Sequence, residues 1–350
     1  MRVLVSGDIG PDVGPIQRDP EGPTEGLDHI VIESTYGDED RPAITPAMRR
    51  ADLGKLVNAA WKQGVALLIP VFAMERAQEV MLDLVTLIRG GEVPEAAIFL
   101  DSPLATRATK VFAHHAGLLE DGTAMRAALA DRHIHHVEDW QQSAQLTRQD
   151  GFRIVLAGSG MCEAGRIRAH LRAKLWDQRA IVALVGFQAA GTLGRLLQDG
   201  ATRVRIQGEP LHVGARIAMI EGYSGHADGP ELGRWLAARG PVSGGVFLVH
   251  GEEETIEGLA KRVLGRGIAP EEAIIRPTLD ETFQLRPGQA PERAPAPQRR
   301  RAHPETVGRP DWHNQRAALL LGIEEALEQA GDDRQRVALL ARLRRALDAG

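Results

Sequence analysis

The stretch I-E-G-Y-S-G-H-A-D at Ile220–Asp228, followed 24 residues after its histidine by H-G-E at His250–Glu252, decides how this chain is read. His226 stands among Gly222, Ser224, Gly225 and Asp228, a poor apolar face but a good loop at the end of a strand. His250 closes the apolar run Gly245–Val249, so its imidazole is expected at a strand's carboxyl end, where open α/β proteins keep their chemistry. Histidines presented in this way suit a metal ligand and a proton donor in a hydrolytic site. A structural histidine with satisfied hydrogen bonds is the competing reading at each position.

Two carboxylates take comparable places nearer the amino terminus. The short run Val3–Val5 delivers Ser6, Gly7 and Asp8 at once, so Asp8 is either a metal ligand aimed by the glycine turn or an Asx-turn residue. Residues Pro11 to Gly26, rich in proline and glycine, read as an irregular excursion. The run His29–Ile32 then ends in Glu33, within E-S-T-Y-G at Glu33–Gly37.

The middle of the chain alternates helical and strand patterns. Thr45 to Gln63 predicts a helix capped by Thr45 with Pro46 at its first position. Val65–Pro70 reads as a buried strand, and Met74 to Arg89 as a helix whose stripe Ala77, Val80, Met81, Leu84 and Ile88 is a packing face. Further strands are expected at Ala97–Leu100, Phe152–Leu156, Ile181–Val185, Val204–Ile206, Val213–Met219, Val246–Val249 and Ala273–Ile275. Helices fall at Leu104–Leu119, from about Ala164, and at Glu231–Arg239 and Glu254–Leu264. Such alternation predicts an α/β fold with mainly parallel strands under covering helices.

A chain of 350 residues with 43% hydrophobic content can build two domains and a tail. Before Gly288 there are 31 basic and 38 acidic residues, and from there on 11 and 9, so an acidic body carries a slightly basic tail. That balance gives no general footprint for nucleic acid, though it leaves room for a local basic groove or for recognition through metal and amides. Cys162 is the single cysteine, which excludes an internal disulfide framework and any cysteine-rich zinc module. No apolar run is long enough to span a membrane and the first residues do not read as a signal peptide, so no membrane partner and a cytoplasmic location are expected.

Two further features were weighed for chemistry. The turn Gly158-Ser159-Gly160-Met161 opens toward a helix carrying Arg166, Arg168, His170 and Arg172; such a turn can cradle phosphate, although one glycine turn is a weak signal. His114, His115, His133, His135 and His136 invite a metal reading, but no acidic partner has a convincing spacing and they read as surface residues. From Pro287 to Pro310 the composition becomes that of a linker. Two helical patterns follow, with Leu319, Leu320, Ile323 and Leu327 on one face and Val337, Leu340 and Leu343 on the other, a small hairpin needing a partner surface.

Taken together, the motifs are far more specific than any one alone. They run S-G-D-I-G at Ser6–Gly10, E-S-T-Y-G, P-V-F-A-M-E-R-A-Q-E at Pro70–Glu79, D-S-P-L-A at Asp101–Ala105, G-S-G-M-C-E-A-G-R-I at Gly158–Ile167, G-T-L-G-R at Gly191–Arg195, G-Y-S-G-H-A-D and H-G-E. Over roughly residues 1 to 285 this series resembles the β-CASP nucleases of the metallo-β-lactamase fold, which process RNA as exonucleases or endonucleases. The resemblance implies a metallo-β-lactamase αββα scaffold, here partial, in residues 1–40 and 217–286, and an inserted parallel-sheet β-CASP domain in 41–216. A linker at 287–310 and a helical hairpin at 311–350 complete the expectation. It also implies a site with two zinc ions, Asp8 bridging them and His250 binding one. His226 is then the general acid over the scissile phosphate, Glu33 its carboxylate partner, and Ser159, Gly160 and Met161 the phosphate-contacting turn.

Two departures qualify what the resemblance implies. Gly158 stands where many relatives have serine. More importantly, the H-x-H-x-D-H signature, which with a further histidine supplies most of the zinc ligands, occurs nowhere in the chain. The expectation is therefore a fragment that starts in the middle of the catalytic domain, binds zinc weakly or partially, and is nearly inactive on RNA by itself. Its partners would be RNA and either a second copy or the missing half-domain. The alternative is a non-catalytic RNA-binding or scaffolding subunit of an RNA-processing complex.

Overall fold

Side chains of successive residues in a strand point to opposite faces of the sheet, so an uninterrupted apolar run needs cover on both sides. The computed structural model of the protein describes residues 1–12, 16, 21–42, 44–295, 319, 323, 326–327 and 330–348. The chain opens with β1 (Val3–Val5) and β2 (His29–Glu33), then enters a series of α1 (Pro46–Gln63), β3 (Ala66–Pro70), α2 (Arg76–Arg89), β4 (Ile98–Asp101), α3 (Pro103–His114), α4 (Gly122–Leu129) and β5 (Ile134–His136). It continues through α5 (Trp140–Arg148), β6 (Arg153–Ala157), α6 (Ile167–Lys174), β7 (Ile181–Leu184), α7 (Leu193–Gln198), β8 (Arg203–Ile206), β9 (Glu209–His212) and β10 (Arg216–Met219). Then come α8 (Gly229–Ala237), β11 (Gly245–Val249), α9 (Glu253–Gly265), β12 (Ile274–Ile275), β13 (Phe283–Gln284), β14 (Glu292–Arg293) and α10 (Asp333–Asp348).

Six strands form a parallel sheet in the order β10-β7-β3-β6-β4-β5. Leu67 and Ile69 of β3, with Ile154 and Leu156 of β6, face Leu53 and Val57 of α1 and Val80, Met81 and Leu84 of α2. Their neighbours Ala66, Leu68, Val155 and Ala157 face the other way, onto Leu171 of α6 and Leu197 of α7. The expected α/β class with a helix-covered parallel sheet is what the protein has.

A second parallel sheet, β1-β2-β11-β12, is split in sequence by the first. Ile30, Ile32, Val246 and Leu248 pack on Leu232 and Leu236 of α8 and on Leu259 and Val263 of α9. On its opposite face Phe283 meets Phe247 edge-on at 5.3 Å, while Val3 and Val5 stay largely exposed. The larger sheet is thus an insertion between β2 and the returning segment.

Local signals explain most element ends. Thr45 caps α1 by accepting from the Met48 amide, and Gly64 closes it in a left-handed conformation. The helix expected from Met74 begins at Arg76, because Glu75 takes a φ of 62°. The β8–β9 hairpin was not expected: Pro210 masks β9 in the sequence, but Gln207 and Gly208 both have positive φ, as a two-residue hairpin turn requires. The expected division at residue 216 falls at the start of β10, which pairs with β7, and Ile220 and Tyr223 still belong to the larger sheet's core. Within the expected linker, Glu292 and Arg293 pair with Gln284 and Phe283. The first tail helix lies largely outside the described residues; the second is α10.

The sequence reading saw in α2 only its apolar stripe, and missed the charges buried beside it. Arg49 of α1 donates to Asp83 at 2.8 Å and to Glu79 at 3.3 Å, and also to the Gly222 carbonyl at 2.9 Å. The Tyr223 hydroxyl donates to the same Asp83 at 2.9 Å, and Arg76 pairs with Glu79. These residues fix the loop that leads to His226. Replacing Arg49 by leucine removes the cation that bridges Asp83 and Glu79 and leaves Glu79 to Arg76 and Asp83 to Arg50 at 3.5 Å, so unfolding in urea should show a loss of about 3 kcal/mol. A loss below about 1 kcal/mol would mean that the pair carries no burden in the fold.

Candidate active site

Glu33 ends β2, and Asp8 and His250 follow its two neighbouring strands in the smaller sheet. In the order β1-β2-β11, Val5 lies opposite Val31 and Val249 opposite Glu33, so the three segments leave the sheet side by side at its carboxyl end. His226 arrives from the other direction, on the loop between β10 of the larger sheet and α8 over the smaller one. The Ala227 amide donates to the Ile9 carbonyl at 2.7 Å and ties that loop to the one carrying Asp8. Asp228 caps α8 in a capping box with Glu231 and accepts from the Arg41 amide at 3.1 Å, which makes it an anchor for the loop.

Glu33 is buried and accepts hydrogen bonds from the Ile9 amide, the Thr35 hydroxyl at 2.7 Å and His226 Nδ1 at 2.8 Å. Burial pushes its carboxyl up. The bonds from His226 and Thr35, the His226 charge and the Ile9 amide outweigh that, and hold it below the ordinary 4.5. An ionised carboxylate only accepts, so the proton in the Glu33–His226 bond sits on Nδ1. The Nε2 edge is then left for chemistry.

Thr35, which the sequence reading did not single out, joins the groups. Its oxygen lies 3.3 Å from His226 Nδ1 and 3.2 Å from His250 Nδ1. A threonine in a turn is common, so its only signal was a place two residues after Glu33. His250 takes a φ of 53°, uncommon outside glycine, and its carbonyl accepts from the Ser34 amide at 3.2 Å. Tyr36 is also part of the surroundings: its ring lies edge-on to Phe187 at 5.6 Å, 6.5 Å from the His226 ring, and under the Arg41 guanidinium at 4.2 Å.

Asp8, His226 and His250 bring one ligand-capable atom each within 4.8 Å of one another, and His250 Nδ1 is 3.9 Å from Asp8. Imidazole and carboxylate are the right donors for zinc. A zinc site, however, takes three or four protein donors, and His226 has already committed Nδ1 to Glu33. Among the described residues the group fits part of one site and does not fit a pair of ions.

The glycine turn lies at the carboxyl end of β6, and much of it is tied up internally. Ser159 donates its amide to the Ala164 carbonyl and accepts from the Ala164 amide with its hydroxyl, both at 3.1 Å. Gln188 holds the Gly160 carbonyl at 3.0 Å, and the Gly194 amide holds that of Met161 at 3.0 Å. Behind the turn, buried Asp101 binds Arg166, His170 and Ser143, each at 2.7 Å. Of the five weighed histidines, four are exposed, but His133 is half-buried and has the acidic partner the sequence reading did not find, Asp131 at 2.6 Å.

The site invites a direct test by pH. Because Glu33 titrates lower in the fold than in the unfolded chain, its contribution to stability is complete above about pH 4.5 and is lost as pH falls through the lower folded value. Glu33→Gln should melt below the wild type near neutral pH, and the two melting temperatures should converge in acid. A gap that stays constant down to about pH 3 would contradict the charged pair.

Comparison with known proteins finds two family matches in the chain. Residues 77–197 match the Beta-Casp domain, and residues 210–275 match the Zn-dependent metallo-hydrolase RNA specificity domain. The chain is similar to Ribonuclease TTHA0252 of Thermus thermophilus, with 36% identity over 276 residues covering 76% of this chain and 61% of that protein. It is also similar to the RNase J-like protein of Methanocaldococcus jannaschii, at 27% identity over 72% of this chain and 58% of that one. Transcription termination factor FttA of Methanosarcina mazei is 28% identical over 68% of this chain and 39% of its own length. The chain therefore spans less than two thirds of each of these relatives.

Proposed function

The chain belongs to the β-CASP family of metallo-β-lactamase-fold RNA-processing nucleases, and from that premise we propose that it carries the acid half of a phosphodiester-cleaving site acting on RNA. The observation that carries this reading is the 2.8 Å bond between His226 Nδ1 and Glu33, in a cluster with Asp8 and His250. Glu33 orients the ring and keeps the proton on Nδ1, so that Nε2 can deliver a second proton to the oxygen leaving phosphorus. Arg41, bound to the His226 carbonyl and lying over Tyr36, holds the loop and adds positive charge beside it.

Asp8 and His250 are the residues that would contribute to holding zinc. Zinc, when bound, supplies an activated water and neutralises phosphoryl oxygens. Ser159, Gly160 and Met161 are assigned to the phosphate of the substrate, through groups the turn does not use internally. The chain by itself is expected to be nearly inactive, because among the described residues no second set of ligands accompanies Asp8, His226 and His250. The same shortage favours a second reading, a non-catalytic RNA-binding or scaffolding subunit.

A chimaera separates the two. The amino-terminal part of the Thermus ribonuclease, fused ahead of Met1, should bring tight zinc binding and cleavage of labelled RNA, and His226→Ala in it should lower cleavage by about 10²–10⁴-fold. A chimaera that binds zinc and RNA but cleaves no faster than its His226→Ala form would favour the non-catalytic reading. For the chain alone, metal analysis should find clearly less than two zinc ions per molecule; two tightly held ions would contradict the ligand assignment.

A further inference from the structure

Phe72 is an aromatic ring that neither the core nor the proposed acid chemistry uses. It lies just beyond the carboxyl end of β3, between the glycine turns that follow β6 and β7. Val71 before it is fully buried, yet Phe72 is 38% exposed and belongs to none of the buried apolar clusters. Its ring nonetheless rests on glycine backbone. It lies so close over Gly160 that a Cβ there would come within 2.6 Å of it, and a Cβ on Gly186 would be 3.9 Å away. In a chain with only 4% aromatic residues, a short series of contacts leads from Phe72 toward His226: Phe187 follows the glycine that Phe72 approaches and meets the Tyr36 ring at 5.6 Å, and Tyr36 lies 6.5 Å from the His226 ring.

We propose that Phe72 is a stacking platform for a base of single-stranded RNA, on the approach to His226. The proposal rests on the reading that the site acts on RNA, and adds that the strand must be unpaired there. A ring backed by glycine and open to solvent at a parallel sheet's carboxyl end can meet a base face to face, and every base has a π face whatever its identity. A duplex keeps its bases stacked inward and cannot present one to Phe72. Recognition at this position is therefore selective for strandedness and tolerant of sequence.

Fluorescence anisotropy on the full chain with labelled oligoadenylate, an abasic oligoribonucleotide of the same length and an RNA duplex tests this. Phe72→Leu keeps an apolar side chain over Gly160 and removes the π face. It should weaken oligoadenylate binding about tenfold, leave abasic binding unchanged, and preserve the melting temperature. Phe72→Trp should bind oligoadenylate at least as well as the wild type. Equal losses on the abasic and natural strands would overturn the proposal by showing that Phe72 only shapes the turn. Unchanged oligoadenylate binding in Phe72→Leu would also overturn it while leaving RNA as the substrate. No preference of the wild type for the single strand over the duplex counts against the platform, and no binding to any RNA defeats both readings.

Discussion

The hydrogen bond from His226 to Glu33 is the contact on which the site depends. It joins a strand end of the smaller sheet to the loop that leaves the larger one. The histidine's place is therefore set by two separate cores. Each side is braced: Glu33 by the Ile9 amide and Thr35, and the His226 loop by Ala227 on Ile9, Arg41 on the His226 carbonyl and Asp228 at the α8 cap. A buried carboxylate is costly unless its lone pairs are filled, and here the Ile9 amide, the Thr35 hydroxyl and His226 fill them.

That dependence gives the inserted domain a part in placing His226. Arg49, Asp83 and Tyr223 clamp the Gly222–Tyr223 segment onto α1 and α2, three residues before His226. The larger sheet thus reaches the site through a buried charge network. The smaller sheet contributes Asp8, Glu33 and His250 from adjacent strand ends.

Much of this was legible in the sequence, for identifiable reasons. Asp8, Glu33 and His250 each stand at or just past the end of a short apolar run, and His226 stands in a glycine-rich loop, so position marked them as candidates and the series of motifs gave them their expected roles. Parallel strands were legible because their apolar runs are uninterrupted. Tertiary contacts were not legible. Arg76, Glu79 and Asp83 recur at helical spacing beside the apolar stripe of α2, but nothing local says that this second face is buried against Arg49 and Tyr223. Thr35 looked like any turn threonine. That the Ser159 hydroxyl also accepts from the Ala164 amide was not legible, and β9 was hidden by its proline.

The central claim is that Glu33 holds His226 with the proton on Nδ1 and presents Nε2 to the substrate. Long-range ¹H–¹⁵N correlation spectra of histidine-labelled protein read this directly, with His226 assigned by substitution. The account predicts a protonated Nδ1 in the wild type, and a loss of that preference in Glu33→Ala. A neutral His226 carrying its proton on Nε2, with Nδ1 bare, would contradict it, because an ionised Glu33 has no proton to offer in return.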